Sequence, residues 1–254
     1  MKKVFHPDYE RHKETLSAMI ANFSTMGEIF VKGKRNSIRV AALANKTINI
    51  KSFRVPNPVN AVVYRYFRKS KARRSFEFAN YLLQNGIGTP QPVAYFENYN
   101  LFGLSNSYYV SEHLESDLLF RDLPGNPDYP DRENIIRQFA RFTFELHQKG
   151  IEFKDHSPGN TLIKNLGNGC YSFFLVDLNR MVFHKSMPLE LRMKNMSRLT
   201  SKVELLKILA NEYAKASGED PTQVFYLLST ATARFHKGFY RKKRIKNKLL
   251  FRRK

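Results

Sequence analysis

Gly150-Ile151-Glu152-Phe153-Lys154-Asp155-His156-Ser157-Pro158-Gly159-Asn160-Thr161-Leu162-Ile163, followed by Phe173-Phe174-Leu175-Val176-Asp177-Leu178-Asn179-Arg180, is the stretch on which the reading of this chain turns. An Asp, an Asn five positions on and a second Asp at the end of an apolar run are the side chains that phosphoryl transfer needs. Asp155 accepts the proton of an attacking hydroxyl, while Asn160 and Asp177 offer hard oxygens to Mg2+ bridging the nucleotide phosphates. Surface turns use the same residue types. Here, however, the set lies between a helical pattern and apolar runs, and its spacing is that of a kinase catalytic loop and metal-binding strand end.

Working outward, the wording Lys149-Gly150-Ile151, Asp155-x-Ser157-Pro158-Gly159-Asn160 and Asp177-Leu178-Asn179-Arg180 resembles the lipopolysaccharide core kinases, the family of Kdo kinase and the core heptose kinases. The resemblance spans roughly residues 27 to 185 and includes Thr89-Pro90-Gln91-Pro92-Val93-Ala94. It implies ATP and Mg2+ as cofactors, a sugar hydroxyl of Kdo or heptose as acceptor, and work at the cytoplasmic face of the inner membrane. Three positions depart from the pattern. Phe153 replaces the usual scaffold His, His156 stands where an apolar residue is usual, and Asn179 replaces a Gly, at a place where Asn tolerates left-handed backbone.

The bulk properties fit an enzyme with an anionic partner. The chain has 254 residues, enough for a sizeable core. Its 43 Lys and Arg against 22 Asp and Glu give a formal charge of +21, which calls for nucleic acid, an anionic membrane face or a phosphorylated substrate. The single Cys170 excludes an internal disulfide and a cysteine metal cluster, favouring a reducing compartment. The start of the chain lacks the apolar core of a signal peptide, and no run approaches the roughly 20 apolar residues of a membrane span. A cytoplasmic protein, peripheral at the membrane, is expected.

In chain order, Leu16, Met19, Ile20 and Phe23 predict a short amphipathic helix packed on a sheet. Ile29–Val31, Ser37–Leu43 and Thr47–Phe53 predict an antiparallel meander. In a kinase small lobe the first turn of such a meander covers the phosphates and a third-strand lysine pairs with them. Gly33, Lys34 and Arg35 take the first role here and Lys51 the second. A helix from Ser70 to Gln84 carries Glu77, the only acid between Arg54 and Phe96 and hence the candidate to fix Lys51. Val59–Phe67 reads as helical or irregular, with further strands near Val93–Phe96 and Ser107–Glu112 and a hinge at Glu112–Glu115 whose backbone would meet adenine.

Asp131 is placed to cap a helix with Ile135, Phe139, Phe142 and Leu146 on one face, where His147 reads as a packed or exposed helix residue rather than a ligand. Helical pattern resumes at Leu189–Leu209 and Pro221–Phe239, too soon after Asp177 for a long peptide-binding segment, and Ser157 stands where protein kinases carry Lys. The segment Phe235–Lys254 is basic throughout and interleaved with apolar residues, as in a helix that lies on an anionic membrane.

The expected architecture is therefore α+β, one protein-kinase-like domain with an N-lobe over 1–112, a C-lobe over 113–234 and a basic tail over 235–254. Other small-molecule kinases, of the aminoglycoside or choline type, would share the five residues Lys51, Glu77, Asp155, Asn160 and Asp177. A basic nucleic-acid-binding protein without enzyme activity would explain the charge and nothing else, and a kinase degraded through Phe153 would bind nucleotide without turnover.

Overall fold

The structure is a computed structural model that describes residues 1–33 and 36–251. Lys34 and Arg35, expected to face phosphate, and Arg252 to Lys254 of the basic tail lie outside the described residues. The chain divides into two compact units, residues 1–115 with 175–180, and residues 116–174 with 181–254.

In the first unit β1 (Lys2–Phe5) leads through a 3-10 turn into α1 (Lys13–Ala21). The meander follows as β2 (Glu28–Lys32), β3 (Asn36–Leu43) and β4 (Lys46–Phe53), then α2 (Pro58–Tyr66), α3 (Lys71–Gln84), β5 (Pro92–Asn100) and β6 (Gly103–Glu112). These strands form one sheet in the order β1-β5-β6-β4-β3-β2, antiparallel at every pairing. Strand alternation sorts the side chains of β4. Ile48 and Ile50 join Leu16 and Ile20 of α1 in one core, while Phe53 joins Ala72 and Phe76 of α3 in another. Lys51 has the parity of Phe53 and so projects on the α3 side. Ser70 caps α3 by accepting from the Arg73 amide at 3.0 Å, and Asn57 caps α2 by accepting from the Asn60 amide at 2.9 Å.

The second unit opens with β7 (Leu118–Leu119) and α4 (Asp122–Gly125) before α5 (Arg132–Gln148) and β8 (Ile151–Phe153). β9 (Thr161–Gly167), β10 (Cys170–Leu175) and β11 (Met181–Phe183) precede α6 (Leu189–Met196), α7 (Val203–Ser217) and α8 (Pro221–Phe251). Ile135, Ile136 and Phe139 of α5 pack with Met193 and Met196 of α6, Leu205, Leu209 and Tyr213 of α7, and Val224 and Leu228 of α8. Gly150 ends the α5 turn at φ 68°, and a Cβ there would lie 2.0 Å from the His184 carbonyl oxygen, so the entry to β8 requires glycine.

Two local expectations are corrected. Asp131 stands at the N-cap of α5 with φ 56° and makes no capping bond; its carboxylate accepts from the Asn134 side chain at 2.9 Å instead. The helix expected over Leu189–Leu209 is broken at 197–202. There Ser197 Oγ donates to the Lys194 carbonyl at 2.7 Å and the Lys202 amide donates to Thr200 Oγ1 at 3.1 Å, local bonds that compete with the helix.

Candidate active site

In the first unit the site is built on Lys51. Its Nζ donates to Asp177 Oδ1 at 2.8 Å, with the lysine side chain only 16% exposed. The segment carrying Asp177 is tied down by polar bonds. Leu175 N donates to the Gly88 carbonyl at 2.8 Å, and Thr89 Oγ1 donates to the Leu175 carbonyl at 2.7 Å, which gives Thr89 its purpose. Asn179 Nδ2 donates to Asp177 Oδ1 at 2.6 Å, and Arg74 of α3 donates to the Asn179 carbonyl at 2.6 Å. The left-handed residue is Asp177 itself, at φ 60°, and not Asn179 as the sequence suggested. Asn179 instead spends its amide on the metal-motif carboxylate. A non-glycine residue held in the left-handed region is strain of the kind that concentrates at functional sites.

Glu77 does not fix Lys51. Its carboxylate accepts from Lys69 Nζ at 2.8 Å and from Arg73 Nε at 2.8 Å. Burial alone would push this carboxyl up, but the hydrogen bonds from Lys69 and Arg73 outweigh it and hold it below the ordinary value. The only acid on the helix was a reasonable partner for the strand lysine, yet Arg73 one turn back on α3 and Lys69 just before it take the carboxylate. Asp177 compensates Lys51 in its place. Nearby, burial and then the charges of Arg180 and Arg74 lower the pKa of Lys71. Glu112, at the expected hinge, is occupied by Lys46 and Tyr9.

In the second unit the loop after β8 carries Asp155, and a 3-10 turn over Pro158–Asn160 leads into β9. Asn160 Nδ2 donates to the Asp155 carbonyl at 2.8 Å, so the two residues of the motif are bonded within one loop. Asp155 Oδ1 accepts from Arg198 Nη1 at 2.8 Å, and the same nitrogen reaches the Lys154 carbonyl at 2.8 Å. Arg198 was not found from sequence. It lies 43 residues from Asp155, in the break between α6 and α7, and no local pattern marks it.

Beneath the loop Phe153 and His156 are both fully buried, their rings 5.8 Å apart, with Phe139 of α5 at 5.6 Å from His156. Neither ring nitrogen of His156 has a hydrogen-bond partner, and burial lowers its pKa to about 4. It is a neutral packing residue. Phe153 therefore does not leave the loop unsupported. Asn195 of α6 donates to the Phe153 carbonyl at 2.8 Å and pairs with His147 at 3.1 Å, and His147 bonds Tyr213 of α7 at 2.9 Å. His147 is buried and, through burial first, its pKa falls to about 3.

Asp177 offers a carboxylate and Asn160 an amide oxygen, the hard donors Mg2+ takes when substrate phosphates and water complete its shell. Among the described residues no group of three or more His, Cys, Asp and Glu could hold an ion unaided. The donor chemistry thus fits an ion that comes with a nucleotide.

A sheet bearing a half-buried lysine, backed by one long helix and followed by a helical unit with an Asp–Asn loop, defines the class as a protein-kinase-like fold. The family model described as "Lipopolysaccharide kinase (Kdo/WaaP) family" matches residues 58–220, more than half of the sequence, and the chain belongs to that family. Its activity is accordingly that of an ATP-using phosphotransferase in lipopolysaccharide biosynthesis. The match contains Glu77, Asp155, Asn160 and Asp177 and begins after Lys51.

The chain is similar in fold to the solved structure "WaaP in complex with acyl carrier protein", at 15% identity and a TM-score of 0.65, covering 93% of this chain and 99% of that one. A MAP kinase, LmaMPK10 from Leishmania major, aligns at 14% identity and a TM-score of 0.47 over 88% of this chain and 72% of that one. No curated protein matches.

Proposed function

We propose that the chain transfers the γ-phosphoryl group of ATP to a hydroxyl of Kdo or heptose in the lipopolysaccharide inner core. Asp155 accepts the hydroxyl proton, Arg198 positions that carboxylate, Asn160 and Asp177 hold Mg2+, and Lys51 steadies the phosphates. Bound Mg2+ would supply charge neutralisation on the phosphates. The observation that most supports this reading is the Lys51–Asp177 ion pair at 2.8 Å, a sheet lysine set against a carboxylate in strained backbone. A nucleic-acid-binding protein has no use for either feature.

The acceptor is lipid-linked, and the chain meets it at an anionic membrane surface. Among the described residues no helix is long and apolar enough to cross a membrane. Arg241 to Lys248 of α8 are exposed on every side and include six cations and no acid, and each such charge contributes on the order of 1 kcal/mol near an anionic leaflet. Mass spectrometry of core oligosaccharide from cells with and without the gene tests the reading. Loss of one phosphate from the core identifies the sugar; an unchanged core excludes this acceptor and leaves a smaller alcohol as substrate.

A further inference from the structure

Helix α2 turns its apolar residues the wrong way for a helix of a folded domain. Ala61 is its one buried residue, whereas Val59, Val62 and Tyr66 recur at i, i+3 and i+7 on an exposed side, and Phe67 follows at 83% exposure. Beside the helix, the turn from β5 to β6 presents Leu101 at 93% and Phe102 at 74% exposure. Helix and turn are fastened together. Arg65 Nη1 donates to the carbonyls of Asn100 at 2.7 Å and Leu101 at 3.3 Å, and a Cβ on Gly103 would lie 2.4 Å from the Ala61 carbonyl oxygen. The result is one apolar ridge of six side chains on the first unit.

Contiguous apolar surface of this kind marks a contact site on a monomer. Its border identifies the occupant. Arg65, Arg68 and Lys69 lie along the ridge, and the one acid between Arg54 and Phe96, Glu77, is already bound to Lys69 and Arg73. Aromatic and aliphatic tips with Arg65, Arg68 and Lys69 alongside and no unpaired acid in the same stretch match the interface of an anionic bilayer, where rings sit at headgroup level and Lys and Arg meet the lipid charges. A protein groove would need acids facing this border as well as an apolar floor.

We infer that α2 and the β5–β6 turn form a membrane-insertion ridge that seats in the headgroup and upper acyl region of an anionic bilayer. The ridge shares with the proposed function only the bilayer as partner. It adds apolar insertion to the purely electrostatic contact assigned to α8, and it requires no turnover.

The chain has no Trp, so each introduced indole is a single reporter. Phe67→Trp and Phe102→Trp, each tested on the full chain with phosphatidylglycerol–phosphatidylethanolamine vesicles, should shift their emission to the blue and be quenched by brominated acyl chains. Phe30→Trp, at a position 60% exposed on β2, should not respond. Phe67→Ser with Phe102→Ser should weaken partitioning roughly tenfold for each aromatic removed, with melting unchanged because both rings are already in water. Three results overturn the inference: unmoved emission at 67 and 102 while the protein still sediments with vesicles, which assigns binding to α8 alone; equal quenching at 30, 67 and 102; or a lipid-independent blue shift that grows with protein concentration, which gives the ridge to another protein chain. Absence of any vesicle binding overturns it together with the membrane part of the proposed function, whereas the oligosaccharide experiment is untouched by any of these outcomes.

Discussion

Asp177 in the first unit stands at φ 60° with polar bonds from Lys51 and Asn179 and backbone ties of Leu175 to Gly88 and Thr89. Asp155 in the second unit accepts from Arg198, and its loop is seated over Phe139, Phe153 and His156. The first arrangement is electrostatic and strained, and suits the metal ligand proposed for Asp177. The second rests on apolar packing, and suits the general base proposed for Asp155. The two differ in what disturbs them: charge in the first, packing and pH in the second.

The largest effect should come from the carboxylate proposed as the general base. Asp155→Asn keeps size and shape and should lower turnover about a hundredfold to ten-thousandfold, the contribution of a general base, while leaving Mg-ATP affinity within about twofold. Steady-state rates and calorimetric titration with Mg-ATP measure the two separately. A parallel fall in both would dissolve the distinction between the units.

Asp177→Ala should act on the other quantity. It removes a charged ligand, worth about 1.5–3 kcal/mol for a bond to an ionised group, so Mg-dependent ATP affinity should fall roughly tenfold to a hundredfold, to its level without the ion. Lys51 is left half-buried without its partner, so the melting temperature should fall as well. Unchanged affinity in the presence of Mg2+ would remove Asp177 from the metal site.

The apolar half should reveal itself through pH. His147 and His156 are fully buried with pKa values near 3 and 4, against about 6.5 in an unfolded chain. Below about pH 6.5 the unfolded chain takes up protons that the folded chain refuses, so protonation costs the fold nothing above that pH and an increasing penalty as pH falls toward 4. Each costs about 1.4 kcal/mol per pH unit over its window. His156→Phe extends the ring layer and removes two unpartnered nitrogens. It should raise stability by about 1–3 kcal/mol at pH 7, and by more at pH 5. Thermal melts of both proteins across that range decide it; equal pH slopes would mean that His156 is not held neutral.

What the sequence made legible follows from where the information lies. The motif Asp155–Asn160 is local, so its loop was readable, and the strands β3, β4 and β6 show themselves by length and by β-branched or aromatic residues. β1 was missed because Lys2-Lys3-Val4-Phe5 is short, half polar and paired on one side only. Arg198 was missed because its role depends on a helix break whose Ser and Thr look like ordinary helix-surface residues until their backbone bonds are seen. The backbone strain was assigned to Asn179 from residue preference, but the requirement to aim a carboxylate overrode preference and placed it at Asp177.

Glu77 gives the smallest expected effect and the sharpest test of the polar half. Sequence pointed to it by elimination, as the one acid on α3, whereas the structure gives it to Lys69 and Arg73. Both pairs are partly exposed, and such pairs contribute about 0–1 kcal/mol. Glu77→Gln should therefore change ATP affinity and turnover less than about threefold and cost no more than about 1 kcal/mol of stability. Lys51 needs no second carboxylate: Asp177 compensates it in the free protein, and nucleotide phosphates carry enough negative charge to do so afterwards. Calorimetry with Mg-ATP and steady-state turnover, run beside Lys69→Gln as a control for the surface pair, measure this. If Glu77→Gln lowers turnover tenfold or more while Lys69→Gln does not, then Glu77 leaves its surface partners for Lys51 once nucleotide is bound. The strand lysine would then be served by two carboxylates in succession, Asp177 without nucleotide and Glu77 with it.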